Sequence, residues 1–91
     1  MATNTVASEM TYNSVEDMLS EPFQQVRADK AQTMFEQGKC AYYPNVANPG
    51  ENPNYRTWVD SAAAQEFIDF VVAQAPTYNI TIVSTAIVDW L

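Results

Sequence analysis

The chain has 91 residues, enough for one small domain with a single core, and 47% of them are hydrophobic, which is typical of a folded globular chain. Eleven acidic and four basic residues leave a net charge of −7, and the resulting field disfavours binding to nucleic-acid phosphates or anionic lipid. With one cysteine and no histidine, an internal disulfide is excluded, and tetrahedral zinc, histidine-ligated haem and Ser-His or Cys-His catalytic pairs are excluded or severely weakened.

Membrane and export signals are absent from the sequence. No apolar run reaches the ~18 residues that a membrane span needs, and residues 1–4 lack the basic start and apolar core of a signal peptide. A lone Cys40 suits a reducing compartment, where it is either a small buried hydrophobic residue or a thiol activated by the neighbouring Lys39. We therefore expect a cytoplasmic protein.

The first 20 residues predict a strand and one helical turn. Residues 2–13 alternate weakly between apolar and polar side chains, which predicts a first strand or an extended arm over residues 1–13. The apolar positions of one face are Val6, Met10 and Tyr12. Ser14 and Asp17 have the spacing of a capping box, in which each side chain satisfies a backbone donor of the other residue. A short helical turn is expected to follow.

A longer helix is predicted over residues 21–37. Ser20 is a possible N-cap, and Pro22 fits the first turn because its missing amide hydrogen is not needed there. Gly38 suits the left-handed position that follows a helix.

Two cations lie beside the apolar side of this helix. On a helical wheel, Arg27 and Lys30 fall next to Phe23 and Met34. In one interpretation their aliphatic stems cover the edge of the buried stripe and their charged heads reach water. In the other, one of them points into a pocket between helix and sheet and binds an anionic ligand.

Two strands and a turn-rich loop are predicted next. Residues 39–43 and 55–59 are rich in aromatic or β-branched side chains, which favours an antiparallel pair. Residues 45–54 between them contain Asn-Pro-Gly and Asn-Pro-Asn, which are turn sequences. This long loop is either a recognition loop or a tolerated insertion.

A second helix and a final strand complete the chain. Asp60 or Ser61 can cap a helix over residues 62–75, whose wide apolar arc needs a broad surface such as a sheet. Pro76 stops this helix, and residues 79–90 read as a strand with apolar side chains on both faces. We expect Ile80, Ile82, Ala86, Val88 and Trp90 on one face, and Val83 and Ile87 on the other.

The predicted order is β-α-β-β-α-β within one domain, residues 1–91. An antiparallel sheet with both helices on one face buries the apolar surfaces of both helices at once. The fold class is therefore α+β, as a ferredoxin-like sandwich.

Three segments also resemble a known group of proteins. The helix that closes on Gly38, residues 56–60 (RTWVD) and residues 61–70 (SAAAQEFIDF) resemble small proteins of tailed phages, notably those of marine cyanobacteria, which look like single ferredoxin-like (α+β-barrel) units. The resemblance covers most of residues 22–89. It implies a virus-encoded accessory protein in the host cell and a fold that commonly forms a homodimer. It implies no activity, cofactor or functional residue.

Three functional hypotheses remain open. The first is a non-enzymatic protein that homodimerises through its sheet, with its last strand reaching the partner, and binds a host or virion protein. The second is a small-ligand or oxygenase-like enzyme of the dimeric α+β-barrel type, with a pocket between helix and sheet. The third is an acidic mimic of nucleic acid, which the even scatter of Asp and Glu argues against.

The pocket hypothesis names the candidate ligand-binding residues. Arg27 is the proposed anion anchor, and the other lining residues are Lys30, Trp58, Phe67, Phe23 and Met34. The sequence indicates no catalytic residue, no metal ligand set and no cofactor.

Overall fold

The structure, a computed structural model, describes residues 5–42 and 56–90, which form an α+β fold. The elements in chain order are β1 (Thr5–Tyr12), α1 (Val15–Leu19), α2 (Glu21–Glu36), β2 (Arg56–Trp58), α3 (Ser61–Gln74), a 3-10 turn (Ala75–Tyr78) and β3 (Ile82–Trp90). The strands pair antiparallel in the order β2-β1-β3. The predicted α+β class with an antiparallel sheet is confirmed. The predicted loop at residues 45–54 lies outside the described residues.

The first strand is the centre of the sheet. β1 pairs with β3 from Thr5 to Tyr12 and with β2 from Val6 to Ser8. Its alternation places Val6 and Met10 in the core. The strand predicted within residues 1–13 is thus confirmed over the described part, Thr5–Tyr12.

Local side-chain bonds set the helix starts. Oγ of Ser14 accepts a 3.2 Å bond from the amide of Asp17, and α1 begins at the next residue after Ser14. Oδ1 of Asp60 accepts a 2.9 Å bond from the amide of Ala63, which starts α3. Past the end of α2, Gly38 has a φ of 78°, a left-handed conformation that glycine adopts without strain. The two predicted long helices are confirmed to within one residue at each end.

The core lies between one face of the sheet and the two long helices. α2 contributes Phe23 and Met34, and α3 contributes Phe67, all with no exposed surface. From β2, the ring of Trp58 packs on Phe67 with a centroid separation of 4.7 Å. Burying a large apolar side chain of this kind contributes about 1.5–3 kcal/mol. Both helices therefore cover the same face of the sheet, as predicted, and the opposite face is here called the outer face.

The segment around Cys40 lies next to β2. Cys40 forms a single antiparallel bridge with Trp58, and the amide of Ala41 donates a 2.7 Å bond to the carbonyl of Thr57. The amide of Val59 donates a 3.0 Å bond to the carbonyl of Lys39. A strand was predicted at residues 39–43. Within the described part of that segment, residues 39–42, the structure has a single β-bridge at Cys40 instead of a full strand. Cys40 is buried.

A β-bulge near the start of β3 changes the faces predicted for that strand. Tyr12 of β1 lies opposite Ile82, and its neighbour Thr11 lies opposite Ser84. Val83 is therefore an extra residue in β3.

The bulge moves every later residue of β3 to the other face, because side chains alternate with a period of two. Ile82 and Ile87 both pack against the core. Val88 lies opposite Ala7 and so belongs to the outer face. The prediction that Ile82 and Val88 share one face, and that Ile87 lies on the other, is wrong because local alternation does not reveal a bulge.

Candidate protein-binding edge

Strand β3 forms one edge of the sheet. It pairs with β1 along one side, and among residues 5–42 and 56–90 no strand pairs with its other side. The central run from Val83 to Ala86 is exposed, with Val83 at 56%. The backbone donors and acceptors of an edge strand are available to a further strand.

Both faces of β3 are open at its middle. Thr85 lies opposite Met10, whose side chain is in the core, so Thr85 faces the helix side. Ala86 lies opposite Glu9 and faces the outer side. Thr85 and Ala86 are both exposed, so neither layer of the fold covers this part of the strand.

The sequence of β3 has few of the features that protect an edge. Natural edges commonly carry lysine, proline or inward-pointing charges. β3 contains neither lysine nor proline, and its one charged residue, Asp89, is next to last in the strand. Its bulge at Val83 is at the opposite end. The middle of the strand is therefore chemically suited to accept another strand.

The exposed part of the outer face is not strongly apolar. Ala7 and Thr57 are buried on this face. Among the side chains that the structure describes, the exposed positions on this face are Glu9, Thr11, Ser84 and Ala86. This composition directs an apolar or backbone-mediated contact to the β3 edge rather than to the face.

Arg27 is buried without a carboxylate partner among the described residues. It is 1% exposed, and its Nη1 donates a 2.7 Å bond to the hydroxyl of Tyr12 while Nη2 donates a 3.0 Å bond to the carbonyl of Met18. Nε is buried with no acceptor in the described structure. The interpretation that the heads of both cations reach water is wrong for Arg27.

Aromatic rings partly replace a counterion for Arg27. Its guanidinium carbon lies 5.3 Å from the ring centre of Tyr12 and 5.0 Å from that of Phe23, within range of cation–π attraction. Desolvation lowers the pKa of Arg27, and the contact with Tyr12 opposes that change. The guanidinium stays charged at neutral pH because its ordinary pKa is so high.

Lys30 takes part in a different cluster. Its Nζ lies 3.3 Å from Oε2 of Glu66, and Nζ of Lys39 lies 2.9 Å from Oε1 of the same carboxylate. The hydrogen bond from Lys39 is the main cause of a lowered pKa for Glu66. Lys30 also lies 5.0 Å above the ring of Phe70 and lines an open groove of about 430 Å³ between α2 and α3.

Trp58 and Phe67 lie in the centre of the core. They stack on each other, and Nε1 of Trp58 donates a 3.0 Å bond to Oγ of buried Ser8. Of the four predicted ligand-binding residues, the structure therefore brings together only Trp58 and Phe67. Lys30 lies in the separate groove between α2 and α3. Arg27 bonds to Tyr12 and Met18 and does not share a pocket with the other three residues.

Several contacts of these sites were not found from the sequence. The sequence indicates that Glu66 belongs to a stripe of exposed polar residues on its helix. In the structure its carboxylate binds Lys30 and Lys39, which are 36 and 27 positions away in the chain. The pairing of Ser8 with Trp58 spans 50 positions. No local pattern indicates partners at such separations. The sequence predicted the last strand, but its place at the edge of the sheet is set by the order of the strands.

Within the described residues, no three potential metal-ligating side chains cluster together, and no helix is both long and apolar enough to cross a membrane. Comparison with protein families, with curated proteins and with solved structures finds no significant match.

Proposed function

We propose that this chain is a non-enzymatic binding protein that homodimerises through its sheet and acts by holding another protein. The observation that carries the proposal is the exposed middle of β3. This part of the sheet edge is open on both faces, and the whole strand contains one charged residue, Asp89. An added strand gains backbone hydrogen bonds there, and its alternate side chains find open surface on either side.

The finer fold that accompanies the proposal is the ferredoxin-like sandwich. The bridge between Cys40 and Trp58 supports it, because counting that segment as a strand gives the sheet order Cys40 segment, β2, β1, β3. In that order the second and third strands of the β-α-β-β-α-β chain, which are the Cys40 segment and β2, lie side by side. The resemblance to phage proteins adds a virus-encoded accessory role in the cytoplasm of a host cell, with a host or virion protein as the second partner.

The packing of the interior favours binding over catalysis. The hypothetical enzyme pocket would occupy the space between helices and sheet. In the described structure that space contains Phe23, Met34, Trp58 and Phe67, each with no exposed surface. A ligand there would have to displace side chains that stabilise the fold.

The solution mass tests the proposal directly. We expect light scattering after size exclusion to give twice the chain mass of 10.2 kDa over a dilution series through the micromolar range. Thr85→Lys places a charge in the middle of the exposed edge and should give a monomer. Val72→Lys is the matched control, since Val72 is 44% exposed and lies on helix α3 instead of on the edge strand. A monomeric wild-type chain across the series would refute homodimerisation.

A further inference from the structure

We propose that Arg27 is a binding site for a small carboxylate, and that α1 covers this site until it moves away. The ligand is a monocarboxylate with an apolar body, held by two parallel hydrogen bonds from the guanidinium. This inference goes beyond the proposed dimer and does not depend on it. The site differs from the interior pocket predicted from the sequence, because the ligand takes the place of α1 and leaves the core side chains where they are.

The hydrogen bonding of Arg27 is incomplete along one edge of the guanidinium. Nε and Nη2 share this edge, and their N–H bonds point in parallel, an arrangement that matches the two oxygens of a carboxylate. Nη2 donates a 3.0 Å bond to the carbonyl of Met18, whereas Nε is buried with no acceptor in the described structure. A single carbonyl of α1 therefore occupies an edge that suits an acceptor with two oxygens.

The buried charge of Arg27 favours an anion at this position. The side chain is 1% exposed, and its two described acceptors, the hydroxyl of Tyr12 and the carbonyl of Met18, are both neutral. A buried charge without a counterion costs free energy, because neutral acceptors replace only part of the lost hydration. A carboxylate that pairs with the guanidinium through both oxygens removes much of that cost.

The helix α1 is attached to the fold chiefly by polar contacts. Its five residues include no buried side chain, and a helix this short is not stable on its own in water. The carbonyl of Met18 accepts bonds from Arg27 and from Nε2 of Gln24. The bond from the amide of Thr81 to Asp17 is 3.5 Å long, at the outer limit for a hydrogen bond. A carboxylate that replaces the Met18 carbonyl on Arg27 compensates for the bond that is lost when α1 moves.

The surroundings of the guanidinium and the charge of the chain define the ligand class. The ring centres of Tyr12 and Phe23 lie 5.3 and 5.0 Å from the guanidinium carbon, so the body of the ligand meets apolar surface. The chain has a net charge of −7, which repels a doubly charged phosphate more strongly than a singly charged carboxylate. An aromatic or aliphatic monocarboxylate therefore fits the site best.

Benzoate, with neutral benzamide as its control, tests the site in the full-length chain. Isothermal titration calorimetry at constant ionic strength should show saturable benzoate binding in the millimolar range, and benzamide should bind at least tenfold more weakly. Arg27→Met removes both donors and should weaken benzoate binding at least tenfold. Lys39→Met is the matched control, because the Lys39 side chain is 42% exposed and its loss should change the affinity less than twofold. Equal binding by wild type and Arg27→Met would overturn the proposal.

Gln24→Met tests whether α1 covers the site. The change removes one of the two bonds to the carbonyl of Met18 and leaves Arg27 in place. Because α1 is then more often open, benzoate should bind about fivefold more tightly than it binds wild type. In a titration followed by nuclear magnetic resonance, we expect the largest shifts at the amides of residues 15–19. Unchanged or weaker binding by Gln24→Met would overturn the covering role of α1, and no saturable binding by either chain would overturn the site itself.

Discussion

Arg27 donates a 3.0 Å hydrogen bond to the carbonyl oxygen of Met18 from a position that is 1% exposed. The same carbonyl also accepts a 3.1 Å bond from Nε2 of Gln24. α1 has no buried residue of its own. Two side chains of α2 therefore hold the end of α1 against the body of the protein.

Arg27 is buried without a carboxylate partner among the described residues, so we expect the effects of mutations at Arg27 and Tyr12 on stability to be strongly coupled. Tyr12→Phe removes the acceptor of Nη1, and we expect a loss of about 1–3 kcal/mol in the free energy of unfolding. Arg27→Met keeps much of the buried volume and removes the charge, so we expect a neutral or stabilising effect. In the Arg27→Met background, Tyr12→Phe should change stability by less than about 0.5 kcal/mol. Urea unfolding of the four chains measures the coupling, and equal losses in both backgrounds would contradict it.

A buried bond between β1 and β2 should also be measurable. Ser8→Ala leaves Nε1 of Trp58 without its acceptor inside the core, and we expect a loss of about 1–3 kcal/mol by urea unfolding. Ser61→Ala is the matched control, because Ser61 is exposed at the start of α3, where Asp60 is the capping residue, and the change should alter stability by no more than about 0.5 kcal/mol. Similar losses in the two variants would show that the Trp58 bond is not the cause.

The pKa of Glu66 predicts a pH-dependent contribution to stability. The folded pKa lies below that of the unfolded chain, because Lys39 and Lys30 both bond to the carboxylate. The contribution is therefore present above the unfolded pKa of about 4.3 and is lost as the pH falls through the folded pKa. We expect wild type to be more stable than Glu66→Gln at pH 7 and the difference to vanish in acid.

The size of that difference should be modest and salt-dependent, since the Glu66 side chain is 37% exposed. Urea unfolding between pH 7 and pH 3 at low and high salt measures it. Glu36→Gln serves as the control for losing one negative charge, because its carboxylate accepts a bond from neutral Gln32. A Glu66→Gln effect that persists unchanged in acid would contradict the assignment.

The start of α3 depends on one capping side chain. Asp60→Ala removes the acceptor of the Ala63 amide, and we expect a loss of about 1 kcal/mol in the free energy of unfolding. Asp60→Asn keeps a side-chain oxygen at the cap and should retain most of the stability. Thermal unfolding followed by circular dichroism compares the two variants, and an equal loss in both would mean that charge, not the hydrogen bond, matters at this helix end.

Dimerisation makes the melting temperature depend on protein concentration. Dilution favours the unfolded monomers, and a tenfold dilution removes about 1.4 kcal/mol per dimer. For two chains of 91 residues we expect a drop in Tm of roughly 3–6 °C per tenfold dilution. The Tm of Thr85→Lys should not change with concentration. A wild-type Tm that is constant over a hundredfold range would contradict the dimer.

Local interactions made much of the fold predictable. Asp60 is three residues from the amide that it caps, and Gly38 occupies the left-handed position that follows α2. Such signals act within one helical turn, so they can be read from neighbouring residues. The periodicity of residues 62–75 likewise indicated a broad apolar surface, and that surface is the sheet. The strand at the end of the chain could be predicted for the same reason, since residues 79–90 are rich in β-branched and apolar side chains.

The sequence by itself determined which segments become helices and strands, because capping and periodicity are properties of short runs of chain. The tertiary structure alone decided that β1 is the central strand, that Val83 is a bulge, that Arg27 is buried beside Tyr12, and that Glu66 binds two lysines. Each of these depends on residues far apart in the sequence, whose contact is set by the packing of whole elements. Packing also decided which side of β3 faces the core, since one extra residue reverses the faces of a strand.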